Sequence, residues 1–213
     1  MKTIKVYMFS ELSEDVQQKV AENTRGEDCD WFFSEANNSF EKFADEFGVK
    51  WQSIDYLEPY RNEYRVPENE YRDELTGVRL ATWLHNNLGH VLYAPKFIGS
   101  LKSNEVKNHK RIRSKKLRNG NAYNPYYSGC QMQSRSCNLT GVCYDDDLLD
   151  SFYNFLENPV EGVSYSDLVD EAISSLCNSL QSEYEYHNSV EGKADFFDSN
   201  DFWFTEHGEE VTA

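Results

Sequence analysis

Apolar residues in this chain recur mostly at helical spacing. Trp31, Phe32, Ala36, Phe40, Phe43, Ala44 and Phe47 fall close to a 3.6-residue period, and Gly48 supplies a stop. The pattern predicts a helix over 30–47 whose aromatic stripe lies in the core. Leu12, Val16 and Val20, four apart, predict a helix capped by Ser10 or Ser13 and running to Asn23. Val78, Leu80, Ala81, Trp83, Leu84 and Leu88 predict another over 75–87, with Gly89 as its end. Asp145, Asp146 and Asp147 suit a helix N-terminus, and Asn158-Pro159 stops that helix. Ser164 with Asp167 reads as a capped start for a long helix to Tyr186, and a shorter one follows over 189–199. Ile4–Phe9, Val49–Leu57 and Phe202–Thr205 read as strands, the first and last pairing with each other. Pro59–Glu74 and 121–144 carry turn and loop residues. The expected fold is α+β: a mainly helical single domain over 1–213, with a small β-sheet joining the N- and C-terminal strands.

Charge changes the picture more than composition does. Aromatics at 15% of 213 residues support a packed core, while 37 Asp and Glu against 21 Lys and Arg leave a net charge of −16. The short apolar runs predict no membrane span, and the N-terminus lacks the apolar region of a signal peptide. The five cysteines are then expected as reduced thiols in a cytoplasm. Within 101–121, Lys102, Lys107, Lys110, Arg111, Arg113, Lys115, Lys116 and Arg118 face Glu105 alone, so this segment is +7 and the remainder −23. Three readings stay open for it: a solvated stretch against the acidic body, a phosphate-binding patch, or a dock for an acidic protein surface. No aromatics are interleaved with these cations, so base stacking is not indicated there. The partner- or RNA-binding candidates are Lys107, Lys110, Arg111, Arg113, Lys115, Lys116 and Arg118. The acidic remainder is either a solvated surface or an electrostatic mimic of a nucleic-acid backbone. Its candidate stretches are 58–74, 145–150 (Asp145, Asp146, Asp147 and Asp150) and 195–210.

The candidate chemistry is sparse. Cys130, Cys137 and Cys143 lack the close pairs of a zinc knuckle, and read as ordinary thiols or, with His85 or His109, as zinc ligands. Cys29 and Cys177 read as packing residues. A Cys–His nucleophilic pair stays open, because such partners meet only in three dimensions. Asp145, Asp146, Asp147 and Asp150 either cap a helix or hold a divalent ion. With no Gly-rich phosphate loop, G-x-S-x-G or H-E-x-x-H, the expectation is a protein without catalytic activity, metal or cofactor.

Several stretches carry a resemblance. Leu12-Ser13-Glu14 with Ala21, Leu75-Thr76-Gly77-Val78-Arg79 with Asn86-Asn87, and above all Cys137-Asn138-Leu139-Thr140-Gly141-Val142-Cys143-Tyr144-Asp145-Asp146-Asp147-Leu148-Leu149 are the first of these. With Glu183-Tyr184-Glu185-Tyr186 and Asn200–Gly208, they resemble a family of uncharacterised bacteriophage accessory proteins. This chain departs from it in Trp203, His207 and the basic middle. The resemblance implies a phage setting, where small acidic proteins often oppose host defence, anti-CRISPR proteins among them. The expected partner is then a host nuclease or CRISPR ribonucleoprotein, its guide RNA included, in the cytoplasm of the bacterial host. The alternative is a phage nucleic-acid-binding or regulatory protein acting through 101–121.

Overall fold

The computed structural model describes residues 5–26, 29–92 and 138–211. Their elements are α1 (Glu14–Asn23), α2 (Asp30–Phe47), β1 (Lys50–Ser53), β2 (Glu63–Arg65), α3 (Glu70–Asp73), α4 (Gly77–Leu92), α5 (Tyr144–Glu157), α6 (Tyr165–His187) and α7 (Val190–Ser199). The protein is α+β, mainly helical with a small two-stranded antiparallel sheet.

Most helix ends follow local chemistry. Ser164 and Asp167 form a reciprocal box before α6: the Ser164 N–H donates to Asp167 at 2.8 Å, and the Asp167 N–H to Ser164 Oγ at 3.2 Å. Ser189 caps α7 by accepting the Gly192 N–H at 3.0 Å. Gly48 takes φ +69 just after α2, as its predicted role as a stop requires. Helix α4 runs through Gly89 to Leu92, because Leu88, Val91 and Leu92 continue its buried face past the glycine.

The described residues form two compact units. A central unit spans 34–92 and 138–178; a terminal unit spans 5–26, 29–33 and 179–211. In the central unit, Phe40, Phe43 and Phe47 of α2, Leu80 and Leu84 of α4, Leu148 and Phe152 of α5, and Tyr165, Leu168 and Leu176 of α6 are buried. The Tyr165 hydroxyl donates to the Phe47 carbonyl at 2.7 Å, while the Arg72 guanidinium lies 4.3 Å over its ring. Cys177 is buried, as a packing residue should be. The sheet pairs Lys50 with Arg65, Trp51 with Tyr64 and Ser53 with Glu63, with an irregularity between Trp51 and Ser53. Strand structure thus stops at Ser53 rather than continuing to Leu57, and its partner strand lies inside the stretch read as irregular.

In the terminal unit the two ends of the chain meet through one antiparallel bridge. Tyr7 and Phe204 exchange both N–H···O bonds at 2.9 Å. No ladder extends from it among the described residues, because the chain turns at once into a 3-10 turn over Phe9–Glu11. There the Glu11 carboxylate accepts the Met8 N–H at 3.0 Å. Phe9, Leu12, Val20, Phe197 and Phe204 close the core of this unit, with Phe9 and Phe197 rings 5.3 Å apart.

Candidate acidic interface

The three acidic stretches meet different fates in the fold. Asp145 is wholly buried, which removes it from the acidic surface expected at 145–150. Its Oδ2 accepts the N–H groups of Leu139, Thr140 and Gly141 at 2.9, 2.7 and 2.9 Å. Its Oδ1 accepts the hydroxyls of Thr140 at 2.9 Å and Ser39 at 2.7 Å. Five donors satisfy the charge, so this carboxylate can be buried; unpaired, it would be prohibitively costly. Asp146 and Asp147 are half-buried at the start of α5, and Asp150 is exposed.

The stretch 58–74 carries its own counter-charges. Glu58 pairs with Arg61, and Asp73 with Arg72 at 2.8 Å. Arg72 is itself buried and donates to the Pro67 carbonyl at 2.7 Å. Desolvation would raise the Asp73 carboxyl, but the Asn69 N–H and then the Arg72 guanidinium together outweigh it and hold the group below the usual carboxylate range. Beside this stretch, Lys50, Trp51 and Gln52 of β1 and Glu63, Tyr64 and Arg65 of β2 line an open groove of about 510 Å³.

The terminal unit is acidic at nearly the same ratio as the central unit, whose described residues hold 20 Asp and Glu against 6 Lys and Arg. The described residues of the terminal unit hold 14 Asp and Glu against Lys5, Lys19, Arg25 and Lys193. Lys193 is buried and spent on the Thr24 carbonyl at 2.8 Å, so it adds little positive charge to the surface. Glu11, Glu14, Asp15, Glu22, Glu191, Asp195, Asp201, Glu206, Glu209 and Glu210 are all exposed. They stand on a well-tied framework. Asn188 accepts the Gly26 N–H at 2.6 Å and donates to the Tyr184 carbonyl at 2.6 Å. Gly208, at φ +81, presses on α1 so closely that a Cβ there would lie 2.6 Å from Val20 and 2.9 Å from Val16. Only glycine fits this approach, and it brings the carboxylates of 206–210 onto the unit that carries those of α1.

The sequence pointed to 195–210 but not to its joining with Glu11, Glu14 and Asp15, which depends on packing across nearly the whole chain length. It also placed Trp31 in the core, whereas Trp31 is 52% exposed. The buried face of α2 repeats at 32, 36, 40, 43 and 47, and Trp31 lies about 100° off it.

Lys107, Lys110, Arg111, Arg113, Lys115, Lys116 and Arg118, together with Cys130 and Cys137, lie outside the described residues; Cys143 is exposed beside α5. Among the described residues no three His, Cys, Asp or Glu side chains gather as a metal site, and no helix is long and apolar enough to cross a membrane. No protein-family model, curated protein or solved structure matches the chain.

Proposed function

We propose that this chain is a non-catalytic, phage-encoded inhibitor of host antiviral defence, which binds a CRISPR nuclease or related ribonucleoprotein and blocks its engagement of nucleic acid. The observation that carries the reading is the terminal unit: 14 acidic residues against four basic ones, one of those buried, displayed on packed helices and a glycine-fitted turn. A basic channel built for phosphates attracts carboxylates held in a fixed array, and a fixed array loses little entropy on binding. The phage setting comes from the sequence resemblance.

The test is a target-cleavage assay with a purified CRISPR effector and its guide RNA across a salt series, beside direct binding of the two components. Inhibition that weakens steeply with salt, and falls at least about tenfold when Glu206, Glu209 and Glu210 become Gln, is the expected result. Undiminished cleavage by a panel of effectors at low salt would overturn it. Binding of RNA by the protein alone, lost when Lys115, Lys116 and Arg118 become Ala, would favour the phage nucleic-acid-binding or regulatory protein acting through 101–121.

A further inference from the structure

Within the terminal unit one surface strip alternates aromatic rings with carboxylates. Trp31 is 52% exposed and Tyr186 is 44% exposed, and His187 lies between them, its ring centroid 6.2 Å from that of Trp31 and 5.9 Å from that of Tyr186. The indole meets Phe32 and His187 almost perpendicularly, at 89° and 88°, so it is held in place without a described ring stacked flat on it. His187 is itself fixed by stacking on Phe32 at 5.5 Å. Carboxylates punctuate the strip. Asp30 precedes Trp31 and is exposed, Glu183 lies 3.9 Å from His187 Nε2, and Asp195 accepts the Tyr186 hydroxyl at 2.5 Å. The same unit already accommodates one guanidinium on a ring, with Arg25 lying 5.8 Å over Tyr184.

From this arrangement we infer that the strip reads arginine: a guanidinium of the partner lies on the Trp31 indole while its N–H groups reach the neighbouring carboxylates. The inference rests on the acidic-interface reading and gives it chemical selectivity. Carboxylates alone attract lysine and arginine alike, but an indole face adds a preference for the planar, weakly hydrated guanidinium. An exposed Trp beside a Tyr is also the composition of an interface anchor, ringed here by charges that suit a cationic partner. The occupant is therefore an arginine-rich segment of a partner protein.

Nona-arginine and nona-lysine peptides, equal in charge, are the probes, titrated calorimetrically into the full chain at low and moderate salt. The wild type should bind the arginine peptide about three- to fivefold more tightly. Trp31→Ala should abolish that preference and leave the salt dependence of both peptides unchanged; Trp31→Leu repeats the test should the alanine variant unfold, and Trp203→Ala should keep the preference. If Trp31→Ala or Trp31→Leu folds and retains the preference, the inference is overturned while the acidic-interface reading stands. Should neither peptide bind even at low salt, both are overturned.

Discussion

Asp145 shows how one residue can look like surface charge and act as a structural pin. Its carboxylate gathers the backbone of Leu139–Gly141 and the hydroxyls of Thr140 and Ser39. In Asp145→Asn one oxygen becomes an amide donor facing donors, so buried groups lose their acceptor. We expect a loss of about 3 kcal/mol or more in urea unfolding, against less than about 0.5 kcal/mol for Asp150→Asn on the exposed side of α5. Equal effects of the two changes would show that the clamp does not matter to stability. The clamp also gives the stretch 137–149 a structural use at Leu139–Gly141 and Asp145. A second residue-scale prediction has the opposite sign. Lys50 and Arg65 stand directly opposite each other in the sheet, both exposed and neither ion-paired with a described residue. Lys50→Glu replaces repulsion by attraction and should stabilise the protein by about 0.2–1 kcal/mol at low salt, fading as salt is added. A lowered unfolding midpoint would count against the cross-strand geometry.

Among the elements, helices were legible where local signals agreed. The Ser164–Asp167 box combines cap chemistry with the apolar stripe that follows it, and α6 begins one residue after Ser164. Hydrogen bonds from the Ser164 N–H and hydroxyl hold the Asp167 carboxyl below its usual pKa of 3.8. A depressed carboxyl contributes stability that is present above the unfolded pKa and lost as pH falls through the folded one. Asp167→Ala should therefore cost about 1 kcal/mol near neutrality, with the difference from wild type closing once pH falls well below about 4. A gap that persists in strong acid would assign the effect to something other than the ionised cap. Strands were less legible, because a strand needs a partner that its own residues do not specify. The alternation at 4–9 yields only the Tyr7–Phe204 bridge, since Glu11 turns the chain early. What the ends do share is side-chain packing. Phe204 is buried with its ring 6.0 Å from Phe9 and 5.2 Å from Phe197. Phe204→Ala should cost about 3–5 kcal/mol, and deleting 202–213 should unfold the terminal unit rather than trim a tail. A truncated chain with an unchanged melting temperature would refute that dependence.

For the whole molecule, the amount of acid was plain in the sequence but its disposition was not. Counting residues cannot tell that Asp145 is internal, that Glu58 and Asp73 have arginine partners, or that Lys193 is buried; each depends on contacts between distant elements. What the fold leaves is a set of described residues with 34 Asp and Glu against 10 Lys and Arg. Such an excess repels itself in the folded state, and the repulsion is long-ranged only while the Debye length is long. Raising NaCl from about 0.02 M to about 0.5 M shortens that length from roughly 20 Å to roughly 4 Å. Folding and binding should respond with opposite signs over this range. The melting temperature should rise and then level off as carboxylate repulsion is screened, whereas affinity for a cationic partner should fall, because the same screening weakens attraction across the interface. Calorimetric melting and peptide titration in the same buffers measure both. The Glu206, Glu209 and Glu210→Gln variant should flatten both curves together, since one set of charges causes both effects. A melting temperature that falls with salt would mean that attractive pairs, not like-charge repulsion, dominate the surface. A binding affinity indifferent to salt would remove electrostatics as the basis of partner recognition.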